Sequence, residues 1–352
     1  MPADKNISQI YRIVDANLNR LAEGLRVLEE IARMILNNPG VTEQLKKLRH
    51  DLVRADLSFN KELLQTRDAG NDVGINLNVS GEAKEKDLPA ILVANSRRAQ
   101  ESLRVLEELS KIPEIKIDTQ KFKQARFDLY TIERDLLSAL LRQDKMAKLT
   151  GVYVIIDTES LKGRSHLETA RLSIQGGARI IQLRDKTTPK GELIQLAVQI
   201  RQLCAENNAL FIINDYLDIA LSVNADGLHV GQGDFPITAA RKMTPIDMII
   251  GCSANTLAEA IQAEKDGADY IGLGAIYPTG TKTDAVVTGL NTLREVTMTV
   301  KIPVVAIGGI NKYNIKDVMA AGAAAAAVIS AVVGTDSPEI ATRELGELIK
   351  NE

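Results

Sequence analysis

The sequence predicts two domains of different class: an all-α, four-helix N-terminal domain over residues 1–147, built from a duplicated helical hairpin, and an α/β domain over 148–352 that reads as a (β/α)8 TIM barrel. Three observations carry this. Apolar residues before about Lys148 recur at alternating three- and four-residue steps, the period of a buried helical stripe. A mixed polar and apolar pattern in that region returns at a uniform offset of 78 residues. After Thr150, eight short β-rich runs alternate with helical runs.

The totals agree with a two-domain enzyme or binding protein. A chain of 352 residues exceeds the usual single-domain size. Its apolar fraction of 45% and charged fraction of 25% are those of an ordinary globular protein. Aromatics make up only 3%, without Trp, which argues against a base-stacking surface. The net charge of −3, without a long basic run, advertises neither nucleic acid nor membrane. Cys204 and Cys252 give no disulfide framework and fit a reducing compartment. MPADKNISQIYR lacks a signal-peptide core, and the Ala-rich tract Met319–Gly334 is short for a membrane span. A cytoplasmic protein acting on small molecules is expected, as a monomer or a homo-oligomer.

In the first domain, Leu18, Leu21, Leu25, Leu28, Ala32 and Ile35 mark one helix, stopped by Asn38-Pro39-Gly40. A second amphipathic run reaches about Gln65, followed by the long polar loop TRDAGNDVGINLNVSGE. The pattern then restarts. Asn17, Arg20, Glu23 and the run Leu25 to Glu30 return as Asn95, Arg98, Glu101 and Leu103 to Glu108; the following helix repeats more loosely, with Arg49 against Arg126. The repeated charges read in two ways. They form ion pairs along solvated helix faces, or they line a polar cleft in which Arg26, Arg49, Arg104 and Arg126 grip phosphate. No GxxxxGK[ST] loop is present, so a P-loop site is excluded. Arg142 to Thr150, polar and without strand pattern, reads as the linker.

The eight runs are VYVIID, ARIIQLR, ALFIIN, DGLHV, MIIGC, DYIGLG, PVVAIG and AAAVIS, with a last helix over Pro338 to Lys350. An open doubly wound sheet is the competitor, but Asp157 to Ser160 is no nucleotide loop. In a barrel, function belongs to the loops at strand C-terminal ends. Strand 2 ends in Gln182-Leu183-Arg184-Asp185-Lys186, with Gln182, Arg184 and Lys186 on one side. Strands 3 and 4 run into Asn214-Asp215 and Gln232-Gly233-Asp234. As neighbours about 5 Å apart, they would let both carboxylates share one small hard cation. Strand 5 ends at Ser253, and strand 6 at Thr279-Gly280-Thr281-Lys282. Gly308-Gly309 and Ile329-Ser330, at strands 7 and 8, suit a phosphate monoester. A diphosphate with Mg²⁺ suits the more charged side. His229 and Cys252 read as packing residues, and Asp226 as structural.

The segments QLRDK, IND, ADGLHVGQGD, GCSAN, GADYIGLGAIYPTGTK, VAIGGI and AVISA resemble, in order and spacing, the motifs of the thiamine phosphate synthase family over about residues 150–335. The resemblance implies condensation of hydroxymethylpyrimidine diphosphate with a carboxylated thiazole phosphate, with loss of pyrophosphate. It assigns Gln182 to Lys186, Asn214, Ser253 and Lys282 to the pyrimidine diphosphate, and Asp215 and Asp234 to Mg²⁺. Thr279 to Thr281, Gly309, Ile329 and Ser330 go to the thiazole phosphate. Arg184, Lys186, Ser253 and Lys282 would carry the catalytic charge stabilisation. Gly280 and Asn255 are minor departures from the family pattern. The first domain resembles an extension of some family members associated with phosphorylating the pyrimidine monophosphate. That implies ATP as co-substrate and adds Arg67 and Asp72, in the polar loop, to Asn17, Arg20, Arg26, Arg49, Asn95, Arg98, Arg104 and Arg126. The alternatives are a thiazole tautomerase-like barrel, a phosphate-sugar barrel, and a helical bundle that only oligomerises or regulates.

Overall fold

The computed structural model describes residues 2–53, 57–67, 87–115, 117–280 and 286–350. The chain divides into two compact units, Met1–Leu141 and Arg142–Glu352.

The first unit is helical: α1 (Pro2–Glu30), α2 (Pro39–Val53), α3 (Leu57–Thr66), α4 (Leu88–Leu109) and α5 (Thr119–Ala147), with a π-helical turn over Ile31–Ile35. The second amphipathic run is helical over Pro39–Val53 and again over Leu57–Thr66. The leucine stripe of α1 is buried against Leu92, Ala99, Leu103 and Leu106 of α4 and Leu129, Ile132 and Leu136 of α5. Gly24 lets α1 and α4 approach closely, because a Cβ there would lie 3.0 Å from the Asn95 carbonyl and 3.2 Å from the Ala99 methyl. Local chemistry sets the helix starts. The Asp87 side chain accepts from the Ala90 N–H (2.9 Å), with proline in the first turn of α4. The Asn38 side chain accepts from the Val41 N–H (3.1 Å). The stretch read as a linker stays helical through Ala147. It contains neither Gly nor Pro to stop α5, and Arg142 and Lys145 pair with Asp269 (2.9 Å) and Asp247 (3.0 Å) of the second unit, to which they belong.

The second unit is a closed barrel of eight parallel strands in sequence order. The strands are β1 (Gly151–Asp157), β2 (Ile180–Arg184), β3 (Leu210–Asn214), β4 (Gly227–Val230), β5 (Ile249–Ala254), β6 (Tyr270–Leu273), β7 (Val304–Ile307) and β8 (Ala325–Val328). Helices α6 (His166–Gln175), α7 (Lys190–Glu206), α8 (Leu217–Ser222), α9 (Ile237–Met243), α10 (Leu257–Lys265), α11 (Gly289–Thr299), α12 (Ile315–Ala320) and α13 (Pro338–Lys350) complete it. Among the described residues no helix is long and apolar enough to cross a membrane.

Strand alternation separates two cores. Val152, Val154, Ile156, Ile181, Leu183, Phe211 and Ile213 face the helices. Tyr153, Ile155, Ile180, Leu210, Ile212, Ile249 and Tyr270 fill the barrel, with Met146 and Leu149 packed among them. The interior is filled unevenly. A Cβ on Gly251 would lie 2.1 Å from the Tyr270 ring, and one on Gly272 would lie 2.8 Å from the His229 imidazole. These two glycines supply the room that a large ring takes up, Tyr270 on the adjacent strand for Gly251 and His229 two strands away for Gly272. Gly251→Ala should therefore overpack the barrel and cost about 1–3 kcal/mol, read as a lower urea midpoint. Pairing it with Tyr270→Leu should recover most of the loss.

Candidate active site

The C-terminal ends of the strands enclose a cavity of about 590 Å³. Its wall includes Gln182, Arg184 and Lys186 from β2 and the loop after it, Asn214 and Asp215 after β3, His229 and Asp234, and Ser253. Thr279, Gly308, Gly309, Ile329 and Ser330 close the other side. Most of the residues singled out in the barrel sequence thus meet in one space.

The cationic side is pinned from below. Arg184 Nη1 donates to the carboxylate of buried Asp157, the last residue of β1, at 2.9 Å. The register places Asp157 beside Arg184, so the neighbouring strand holds the guanidinium in place. Lys186 lies further out, more than half exposed, with Nζ 3.5 Å from Asp215 Oδ2. Leu183 and Asp185 take other directions. Leu183 packs into the core between strands and helices. The Asp185 carboxylate accepts from the backbone and hydroxyl groups of Thr187 and Thr188 at 2.7–3.0 Å. Its burial opposes ionisation, but the bonds from Thr188 and Thr187 outweigh that and hold the carboxyl well below its ordinary range. Asp185 shapes the loop that presents Arg184 and Lys186, whereas the alternate residues face the cavity.

On the acidic side, Asp215 has a left-handed backbone, φ 61°, a conformation that Asn and Asp tolerate better than other non-glycine residues. Its N–H donates to the His229 carbonyl at 2.8 Å, continuing the β3–β4 ladder. Asp234 folds back onto its own loop, accepting from the Gly231 N–H at 2.9 Å. Burial and the adjacent Asp234 charge raise the Asp215 carboxyl above its usual range, and Lys186 offsets this in part. Two carboxylates in this relation could share a cation. No cluster of three or more His, Cys, Asp or Glu suited to a metal occurs among the described residues. Mg²⁺ commonly needs no more than one or two carboxylates, taking its remaining oxygens from water and ligand phosphate, so the pair fits it.

Across the cavity, Gly308 and Gly309 have φ of 98° and 66°. Side chains there would strike Ala275 and the Tyr277–Pro278 backbone. Asn314 and Asn311 both donate to the Gly309 carbonyl, at 3.0 and 3.2 Å, fixing this turn beside Ser330. Gly280 does not reach the cavity wall. Thr281 and Lys282 lie outside the described residues, as does Asp72 of the first unit.

Three residues that the sequence reading left out belong here. Tyr153, Tyr270 and His229 line the cavity floor and are hydrogen-bonded to one another. His229, expected to be packing, is a cavity residue. Burial pushes its imidazole down to about 4, against a weaker opposing effect of Asp234. A folded imidazole that binds its proton near 4, against about 6.5 when unfolded, favours the unfolded chain on acidification. The barrel should lose up to about 3 kcal/mol as pH falls from 6.5 to 4. His229→Gln should flatten that part of a urea-midpoint profile; parallel losses in parent and variant would remove His229 as the cause.

In the first unit the repeated arginines are engaged. Buried Glu29 lies between Arg26 (3.6 Å) and Arg49 (2.9 Å), and buried Glu107 between Arg104 (2.9 Å) and Arg126 (3.1 Å). The first arginine of each half also meets the next glutamate, Glu30 or Glu108, at 2.7 Å. The repeated asparagines close onto their own helices, Asn17 to the Ile13 carbonyl (2.8 Å) and Asn95 to the Ile91 carbonyl (2.9 Å). Arg67 makes a two-pronged pair with Asp15, at 2.7 and 2.8 Å. Arg98 contacts Asn95 (3.2 Å), and Arg20 is exposed. The duplicated polar set is thus largely a pair of buried carboxylates, each held by two guanidinium groups.

Known proteins resemble both units. A family model described as Thiamine monophosphate synthase matches residues 152–332, and one described as the ThiD2 family matches residues 12–135. The thiamine-phosphate synthase of a Nostoc species is 38% identical over 346 residues, covering 97% of this chain and 95% of that protein. The enzyme of that name from a Synechocystis species is 39% identical over 336 residues, covering 96% and 95%. That from Methanospirillum hungatei is 50% identical over 200 residues, 56% of this chain and 97% of its own. Among solved structures, thiamine phosphate pyrophosphorylase from Pyrococcus furiosus is 42% identical, covers 60% of this chain and 98% of its own, and superposes with a TM-score of 0.54. The chain therefore belongs to the thiamine monophosphate synthase family, as an enzyme of thiamine biosynthesis whose barrel follows a kinase-like helical region.

Proposed function

We propose that the barrel, residues 148–352, joins 4-amino-5-hydroxymethyl-2-methylpyrimidine diphosphate to carboxythiazole phosphate, giving thiamine phosphate, pyrophosphate and carbon dioxide. We assign the helical domain, residues 1–147, to making the diphosphate from the monophosphate with ATP. The observation that carries the barrel reading is one cavity with Arg184 and Lys186 beside the Asp215/Asp234 pair, and a glycine-bordered pocket opposite. In this reading Gln182 and Asn214 face the pyrimidine, and Arg184, Lys186 and Ser253 hold its diphosphate, with Lys282 joining them. Thr279, Gly309, Ile329 and Ser330 hold the thiazole phosphate.

Loss of pyrophosphate needs no activated nucleophile. Asp157 keeps Arg184 fixed before the reaction begins, so its charge is in place as negative charge grows on the departing oxygen. Lys186 is free to follow the leaving group, because its stem is exposed. The methylene left behind is stabilised by the electron-rich aminopyrimidine, the thiazole nitrogen closes the new bond, and the ring carboxylate leaves as carbon dioxide with a proton taking its place. Asp215 and Asp234 would hold Mg²⁺, which would offset the negative charge of the diphosphate as it departs. A cytoplasmic setting, without nucleic acid or membrane, completes the proposal.

One assay tests both activities. Full-length protein given the pyrimidine monophosphate, ATP, thiazole phosphate and Mg²⁺ should form thiamine phosphate. Product from the diphosphate but not from the monophosphate with ATP would leave the helical unit as a non-catalytic bundle. The engagement of Arg26, Arg49, Arg104 and Arg126 with glutamates favours that second reading. Absence of product from the diphosphate would overturn the barrel assignment.

A further inference from the structure

An unbroken line of hydrogen bonds crosses the barrel beneath the cavity. Gln182 Nε2 donates to the Tyr153 hydroxyl at 2.6 Å, and that hydroxyl lies 3.0 Å from the Tyr270 hydroxyl. The Tyr270 hydroxyl lies 3.0 Å from His229 Nδ1, and His229 Nε2 lies 3.0 Å from Ser253 Oγ. Five strands contribute one group each, and the two tyrosines are fully buried. Gly251 and Gly272 leave space for the two central rings.

Each group in such a line has one proton to place, so its direction is a single choice made for the whole line. With the Gln182 amide nitrogen donating, both buried hydroxyls find acceptors only when Tyr153 donates to Tyr270, and Tyr270 to His229 Nδ1. A neutral imidazole that accepts at Nδ1 carries its proton on Nε2, so His229 donates to Ser253. The Ser253 hydroxyl proton is then released from the line, at a residue that lines the cavity. Reversing the line would turn the Gln182 amide round and make Ser253 give its proton to His229. The two ends are linked: an acceptor at Gln182 goes with a donor at Ser253.

We infer that Tyr153, Tyr270 and His229 are positioning residues that fix His229 as the Nε2–H tautomer and aim the Ser253 hydroxyl as a donor into the cavity. Such a site selects a ligand with an N–H group near Gln182 and an anionic oxygen, which can only accept, near Ser253. An amino-substituted heterocycle bearing a diphosphate has both, and in this respect the inference rests on the function proposed above. It adds that ligand polarity is set by three residues that need not touch the diphosphate.

The test is nitrogen NMR of the full-length protein labelled with ¹⁵N-histidine, which has only His50, His166 and His229 to resolve. His229→Gln identifies the third signal. The ligand-free protein at neutral pH should show His229 protonated on Nε2 and not on Nδ1. Tyr270→Phe removes the donor to Nδ1 and should shift the tautomer balance, with kcat for the pyrimidine diphosphate falling about tenfold. Tyr153→Phe, which keeps the Tyr270–His229 bond, should have a smaller effect on both readouts. An Nδ1–H signal in the parent, or unchanged tautomer and kcat in Tyr270→Phe, would overturn the inference. Because the tautomer is read without turnover, the Nε2–H signal in a protein that forms no thiamine phosphate would overturn only the assigned reaction.

Discussion

Asp215→Asn should abolish most turnover, by about a thousandfold, while leaving a protein that is more stable at neutral pH. The two halves of this result have one cause. Burial and the neighbouring Asp234 raise the Asp215 carboxyl above its ordinary range. The folded protein therefore holds that proton more tightly than the unfolded chain does. Its contribution to stability is full below the unfolded carboxylate range and is lost as pH rises through the higher folded value. At neutral pH the ionised pair costs stability, and a neutral amide removes that cost. Asparagine also suits the left-handed backbone at this position, so no strain obscures the comparison. Removing divalent cations with a chelator should silence the parent to a similar extent, and Mg²⁺ should restore the parent but not the variant. Turnover within a few-fold of the parent would sink the metal assignment. Lower stability at pH 7 would sink the electrostatic argument.

Arg126→Ala should destabilise the helical unit by about 3 kcal/mol, far more than a surface arginine would. Arg126 is nearly buried and reaches Glu107, whose carboxylate is itself inside the bundle. Arg104, more than half exposed, also contacts Glu107 but is shared with Glu108. Removing Arg126 leaves a buried carboxylate with one mobile partner, and an unpaired buried charge is what makes such a loss large. The reverse change, Glu107→Gln, should cost less, because Arg104 can turn to Glu108 and solvent. Hydrogen exchange read by peptide is the suitable measurement for a two-unit chain. Protection in α4 and α5 should fall by about two orders of magnitude, with β3 and β4 unchanged. Equal, small effects of both variants would return Arg126 to the role of a ligand-binding arginine.

Much of the barrel was legible because its signal is periodic and local. Each β-rich run carries its own pattern, and alternation alone predicts that Gln182, Arg184 and Lys186 share a side. The same rule separates Leu183 and Asp185 from them, although the family motif includes all five; the structure sends these two elsewhere. Tyr153, Tyr270 and His229 were missed because their importance lies between strands. In sequence, Tyr270 is an ordinary strand aromatic, and only the register brings Gly251 beside it. A sequence signal did exist, in the single glycine inside each of β5 and β6, Gly251 and Gly272, where strands gain nothing from glycine unless something large approaches. In the helical unit the pairs within one helix, Arg26 with Glu29 and Glu30 and Arg104 with Glu107 and Glu108, were legible from spacing, but those between helices were not. Glu29 meets Arg49 across two helices, a contact that no spacing rule within one helix describes.

The match of Tyr270 to Gly251 has a consequence for how this interior can drift. A side chain cannot appear at Gly251 while the ring is present, whereas the ring can shrink first and leave a hole. Large-to-small change at position 270 is thus the passable first step, and growth at 251 the second. The route back obeys the same order: position 251 must return to glycine before an aromatic can return at 270. Change at the barrel floor is thus ordered in both directions, the smaller side chain always coming first, which can be tested by making the two substitutions in both orders.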